Sequence, residues 1–145
     1  MACAADIRPL MKLDREVSTR PWSEKSLSPY VSPSPGDSRF ALVLEVAGEF
    51  VAFLLYTRLL DEANIDSVAV ASSRQGRGCG RALLLAALDR MSEAGLQRCM
   101  LEVRESNLAA RALYENNGFI VDGVRPRYYR TDQGSEDALL MSRRL

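Results

Sequence analysis

Gln75-Gly76-Arg77-Gly78-Cys79-Gly80 separates a β-branched, apolar stretch from an amphipathic one that begins at Arg81. Three glycines at alternate positions let the backbone turn tightly and aim consecutive N–H groups into one concavity, at the positive end of the helix that follows. The run therefore reads as a phosphate cradle. Its spacing rules out two nucleotide motifs. A Walker loop closes on Gly-Lys-Ser/Thr, and this chain reads Gly80-Arg81-Ala82. A dinucleotide fingerprint needs a small closing residue, and that position holds Arg81 counted from Gly76 or Leu83 counted from Gly78. The form that remains is Gln-x-x-Gly-x-Gly.

Outward from the loop, Arg81 to Ala94 sets Leu83, Leu84, Ala87, Leu88 and Met91 on one helical stripe and stops at Gly95. Arg98 to Arg104 alternates as a strand, with Cys99, Leu101 and Val103 on one face and Met100, Glu102 and Arg104 on the other. Ser106 or Asn107 caps a helix that runs to Asn116 and is closed by Asn117-Gly118. Phe119 to Tyr129 and Ala138 to Arg144 read as strands. Before the loop, Ala63 to Ala71 is a strand, and Phe40 to Val46 with Glu49 to Arg58 forms a hairpin about Ala47-Gly48. The start predicts a short strand at Ile7 to Leu10 and helices over Met11 to Arg20 and Ser23 to Leu27. Ser28 to Ser38, with Pro29, Pro33, Pro35 and Gly36, is expected as an irregular connector. This order implies an α+β domain, a mixed central sheet with helices on both faces.

Composition narrows the function classes. A chain of 145 residues that is 47% hydrophobic is expected to form one domain with a substantial core. Lys plus Arg and Asp plus Glu are 19 each, which argues against broad electrostatic binding to nucleic acid or an anionic membrane. There is no histidine, and Cys3, Cys79 and Cys99 lack metal-ligand spacing, so a zinc site, a disulfide scaffold and a His-based triad are all disfavoured. No signal-peptide pattern opens the chain, and the apolar runs Phe50 to Tyr56 and Ala82 to Leu88 are too short to span a bilayer. The expectation is a cytoplasmic protein with free thiols and no bound metal.

The glycine motif, with Leu101-Glu102-Val103-Arg104 followed by Asn107 and Ala112-Leu113-Tyr114-Glu115 followed by Gly118-Phe119, resembles the GCN5-related N-acetyltransferase superfamily. Pro21-Trp22-Ser23-Glu24, Tyr128-Tyr129 and Glu136-Asp137-Ala138 extend the resemblance to the bacterial ribosomal-protein-alanine N-acetyltransferases (RimI type), over nearly the whole chain. The resemblance implies the acyl-CoA N-acyltransferase fold, in which two central strands splay apart around acetyl-CoA. Here those strands would be the one ending at Val70 and the one carrying Glu102. It implies a pyrophosphate held by Gly76, Arg77, Gly78, Cys79, Gly80 and Arg81, and an acyl carbonyl polarised by backbone N–H groups of Val68, Ala69 and Val70. Asn107 would contact the cofactor and Tyr114 would supply a proton. The implied acceptor is the N-terminal alanine of small-subunit ribosomal protein S18, whose sequence starts Ala-Arg-Tyr.

Acyl transfer from a thioester to an amine needs a neutral amine, a polarised carbonyl and a proton for the departing thiolate. Glu102 suits the first task, its alternative being a solvent-facing glutamate paired with a neighbour such as Arg104. Tyr114 suits the last, its alternative being a packing aromatic on the same helix as Asn107. Cys79 is disfavoured as a nucleophile because no histidine exists to activate it. Asp61, Glu62, Glu136 and Asp137 are candidates to border the acceptor cleft, against the plainer reading of solvated loop residues. An α-amine has an ordinary pKa of about 7.7–8.0 and a lysine about 10.4, so a lone carboxylate base suits an N-terminus better. Two other readings stay open on the same fold, an acetyltransferase for a small amine or lysine and a non-catalytic CoA-binding module.

Overall fold

The computed structural model describes residues 1–145. A sheet of six strands runs in the order β1-β2-β3-β4-β6-β5. The strands are β1 (Arg39–Val46), β2 (Glu49–Leu59), β3 (Glu62–Val70), β4 (Arg98–Arg104), β5 (Ile120–Thr131) and β6 (Gly134–Arg144). The helices are α1 (Ile7–Val17), α2 (Glu24–Val31), α3 (Cys79–Glu93) and α4 (Leu108–Glu115). Only β3 and β4 pair in parallel, because α3 carries the chain across one face between them; every other neighbouring pair is antiparallel.

Two apolar cores divide the helices between the faces. Leu83, Leu84, Ala87, Leu88 and Met91 of α3 and Tyr114 of α4 pack with Cys99, Leu101 and Val103 of β4. Leu10 and Leu13 of α1 and Leu27, Tyr30 and Val31 of α2 pack on Ala41, Phe53, Leu55 and Ala69. The alternation read in β4 is thereby realised, with Met100, Glu102 and Arg104 turned toward the α1–α2 side.

The first helices differ from the sequence expectation. Ile7 to Leu10 is the first turn of α1 rather than a strand. Pro9 suits this place, since the N–H it lacks has no intrahelical partner there, and Leu10 and Leu13 supply the buried stripe. The helix ends at Val17, short of Arg20. Ser23 caps α2 by accepting from the Ser26 N–H at 3.2 Å, and the helix continues through Pro29 to Val31, so the irregular connector begins only at Ser32. A proline inside a helix costs about 3 kcal/mol. Burial of Leu27, Tyr30 and Val31, at about 1.5–3 kcal/mol for each large apolar side chain, exceeds that.

The sheet opens in its middle. β3 and β4 pair from Glu62–Arg98 to Ile65–Leu101 and no further, while β3 stays on β2 to Val70 and β4 stays on β6 to Arg104. A β-bulge marks the parting, because Tyr56 pairs with Ile65 and Leu55 with Ser67, leaving Asp66 as the extra residue. The splay expected between these strands is thus present, each strand held by its outer neighbour.

Candidate active site

On the α3–α4 face the gap widens into a cleft of about 430 Å³. Val68, Val70, Ala110, Leu113 and Tyr114 line its apolar wall, and Gln75, Gly76, Gly78, Cys79, Gly80 and Arg81 line its polar end. Gly76 and Gly78 sit at φ +75° and +81°, the left-handed region that strains any residue with a Cβ. Space is not the reason for these glycines, since a Cβ at either would touch nothing within 4 Å. The bend puts Gly78 at the N-cap of α3, where the Ala82 N–H donates to the Gly78 carbonyl at 3.0 Å and the preceding N–H groups have no helical acceptor. These free donors, the helix dipole and Arg81 suit a pyrophosphate.

The backbone of β3 alternates. The Ala71 N–H donates to the Val51 carbonyl of β2 at 2.8 Å, so Ala69, two residues away, also faces β2, and Val68 and Val70 turn their N–H groups into the gap. The Val70 carbonyl on that side accepts from Gln75 Nε2 at 3.1 Å, which ties the glutamine of the motif to the strand. Of the three donors expected, Ala69 is therefore spent on the sheet, and its side chain belongs to the opposite core. Arg77 is exposed and off the cleft wall, so its part in the loop is its backbone.

Asn107 caps α4 through Oδ1, which accepts from the Ala110 N–H at 3.2 Å, and its amide nitrogen remains available to the cleft. Tyr114, on the same helix, is 7% exposed, and its ring packs on Phe119 at 5.6 Å between centroids. Burial pushes its phenol up to about 12. No side-chain hydrogen bond within the protein occupies its hydroxyl, which borders the cleft. Cys99, in the same core, is also raised by burial to about 12.

Glu102 reaches the gap from the other face. Its partner is Arg125 of β5, at 3.3 Å, whereas Arg104 pairs with Glu136 at 3.2 Å and stacks 4.3 Å over the Tyr129 ring. Tyr129 has its pKa raised by burial and then by the charge of Glu102. A polar groove of about 570 Å³, lined by Thr19, Arg20, Arg104, Arg130 and Glu136, runs along this side between the α1–α2 connection and the β5–β6 hairpin.

Asp137 belongs to this region, accepting from the Arg127 N–H at 2.9 Å. Asp61 and Glu62 do not. They lie where β3 begins, at the opposite end of the strand from Val68 and Val70, and Glu62 meets Arg98 at 3.9 Å. A cavity of about 630 Å³ at that far end has one apolar lining residue, Ile120, and no glycine loop. Sequence reasoning passed over Asp66 and Arg125, neither of which has a motif of its own; the bulge makes Asp66 the extra residue where β3 leaves β4, and the β5–β6 register brings Arg125 to Glu102.

The acetyltransferase (GNAT) family model matches residues 7–119. The [ribosomal protein bS18]-alanine N-acetyltransferase of Escherichia coli strain K12 is 36% identical over 137 residues, covering 94% of this chain and 90% of the relative. Its counterpart in Haemophilus influenzae is 33% identical over 140 residues, covering 96% and 92%. The crystal structure of the ribosomal-protein-S18-alanine N-acetyltransferase from Escherichia coli superposes with a TM-score of 0.89 at 35% identity, covering 97% of this chain and 88% of that one. The chain belongs to the GNAT family of acetyltransferases.

Proposed function

We infer that the chain transfers the acetyl group of acetyl-CoA to the α-amine of a protein N-terminus, with the alanine that begins ribosomal protein S18 as its acceptor. One observation carries the chemistry: a cleft lined by the glycine loop and the buried Tyr114 opens on one face of a break in the sheet, and Glu102 stands at that break on the other face. The acceptor identity rests on the relatives named above, whose likeness spans more than nine-tenths of the chain.

Acetyl-CoA would supply an acyl thioester, held at its pyrophosphate by the N–H groups from Gly76 to Arg81 and beside Asn107. The Val68 and Val70 N–H groups would donate to the acyl oxygen as it gains negative charge. Glu102 would take the proton that the ammonium must lose before its nitrogen attacks. The new bond is nitrogen to acyl carbon and the bond broken is carbon to sulfur, with Tyr114 giving its phenolic proton to the sulfur and the second proton released by the attacking nitrogen restoring the phenol. A phenol raised to about 12 is a weak donor to a thiolate in water. A thiolate departing within the same apolar cleft would also be raised by loss of solvent, which narrows the difference.

The test is a comparison of kcat/KM for two acceptors, an Ala-Arg-Tyr peptide with a free N-terminus and the same peptide blocked there and carrying a free lysine. Presenting a neutral nucleophile at pH 7 costs roughly 3–4 kcal/mol less for the α-amine. The first peptide is expected to be strongly preferred. Equal or reversed values would move the small-amine and lysine readings ahead.

A further inference from the structure

Asp66 is the bulge residue at the parting of β3 and β4, one position beyond the last paired residues, Ile65 and Leu101. Glu102 is one position beyond Leu101. The two residues therefore stand at the apex of the gap, where the strands have only begun to part from their paired spacing of about 4.8 Å. Both lie on the α1–α2 face, since Asp66 is held by Tyr30 of α2 and Glu102 points away from the α3 core.

The surroundings of Asp66 are unusual for an anion. Its Oδ2 accepts from the Tyr30 hydroxyl at 2.8 Å and the Thr57 hydroxyl at 2.5 Å, and its Oδ1 accepts from Asn64 Nδ2 at 2.8 Å. All three donors are neutral. Glu102 has Arg125 and Glu136 has Arg104, but Asp66 takes part in no ion pair, and Arg39, opposite Thr57 on β1, makes none with it. A carboxylate offers about four acceptor sites, so three donors leave one on Oδ1. The side chain is only partly covered. Three hydrogen bonds fix the carboxylate in place, and no cation of the protein meets it. An incoming ammonium would find there an acceptor that no charged residue has claimed.

We propose that Asp66 is an acceptor-binding residue, whose carboxylate receives the protonated amine of the acceptor at the apex of the gap and presents it to Glu102. The acceptor is cationic until it gives up its proton, and on this face the apex of the gap carries Asp66 and Glu102. Arg125 offsets the charge of Glu102 and leaves Asp66 as the group with unspent attraction. The inference rests on an amine acceptor and holds for an N-terminal or a small-molecule amine alike.

The experiment is calorimetric titration of an Ala-Arg-Tyr peptide into protein saturated with CoA, a complex in which no transfer occurs, from pH 6 to 9.5. With Asp66→Asn, acceptor affinity at pH 7 is expected to fall about 10–100-fold, the range of a charge-assisted hydrogen bond, with acetyl-CoA affinity and Tm little changed. Wild-type affinity is expected to weaken as the pH rises past about 8, where the α-amine loses its charge, and that dependence is expected to flatten in the variant. Tyr30→Phe, which removes a neutral support and keeps the charge, is expected to retain it. Unchanged affinity in Asp66→Asn, or lower affinity with the wild-type pH slope, would reduce Asp66 to a strut. Should Asp66→Asn not fold, Glu102→Gln decides: binding that keeps its pH dependence there supports Asp66, and binding that loses it assigns the ammonium to Glu102. Wild-type protein that takes only a small amine refutes the N-terminal reading and leaves Asp66 to the same titration with that amine; wild-type protein that binds no amine overturns both.

Discussion

Glu102 and Tyr114 address one gap from opposite faces of a single sheet, Glu102 from the groove side beside Arg125 and Tyr114 from beneath α4. The separation suits a reaction that removes a proton from one reactant and delivers one to the other. Neither residue needs to move, because the strands part after Ile65 and Leu101.

Tyr114→Phe tests the proton donor. The variant keeps the ring against Phe119 and loses only the hydroxyl, so the fold is expected to persist. If chemistry limits turnover, kcat should fall roughly 100-fold or more with acetyl-CoA affinity nearly unchanged. A phenol raised to about 12 also means that the wild-type rate should show no loss from Tyr114 ionisation anywhere below about pH 11, read from a kcat profile. Full activity in the variant would leave Tyr114 as packing.

Gly78→Asp tests the cradle. The substitution forces a side chain onto φ +81° and places a carboxylate among donors aimed at a dianion. Acetyl-CoA binding measured by calorimetry should collapse. Gly78→Ala, which adds the strain without the charge and touches nothing within 4 Å, should lose less. Equal losses in the two would remove the electrostatic part of the argument.

Asn107 caps α4 through Oδ1, and its amide nitrogen is the atom proposed to contact acetyl-CoA. Asn107→Ala should cost about 1 kcal/mol of stability through the lost cap on α4 and weaken acetyl-CoA binding as well. Asn107→Asp keeps an oxygen for the Ala110 N–H and removes the amide donor. Its Tm should return toward wild type while acetyl-CoA affinity stays low. Recovery of both together would confine Asn107 to the cap.

Asp14 carries a pH prediction for stability. It is 2% exposed, its Oδ2 accepts from the Trp22 N–H at 2.6 Å, and its pKa is raised above 3.8 by burial, which outweighs that hydrogen bond. The native state therefore holds this proton more tightly than the unfolded chain does. Its stabilising contribution is full below the unfolded value and is lost as the pH climbs through the raised folded value. Asp14→Asn keeps an acceptor for Trp22 and cannot ionise. Its Tm relative to wild type should therefore rise between pH 3 and pH 7, and a constant difference would show that Asp14 does not titrate differently in the two states.

The local elements of the site were legible from residue order. Glycines at φ +75° and +81°, an Asn cap and an alternating β4 are decided within a few residues by sterics and hydrogen bonding, so Gly76, Gly78, Asn107, Glu102 and Tyr114 stand where their motifs put them. Ile7 to Leu10 is helix and not the expected strand, since Pro9 is tolerated in a first turn, and α2 runs past its expected end because buried Leu27, Tyr30 and Val31 outweigh Pro29. Non-local pairing decided the rest. Which of Val68, Ala69 and Val70 faces the gap depends on which one β2 consumes, and Asp61 and Glu62 fall away from the cleft because β3 runs its full length between them and it. Asp66 has no signature in its neighbours. Its place opposite Glu102 exists only once Tyr56 pairs with Ile65, Leu55 skips to Ser67 and α2 lays Tyr30 against the bulge, contacts between segments that no local preference encodes.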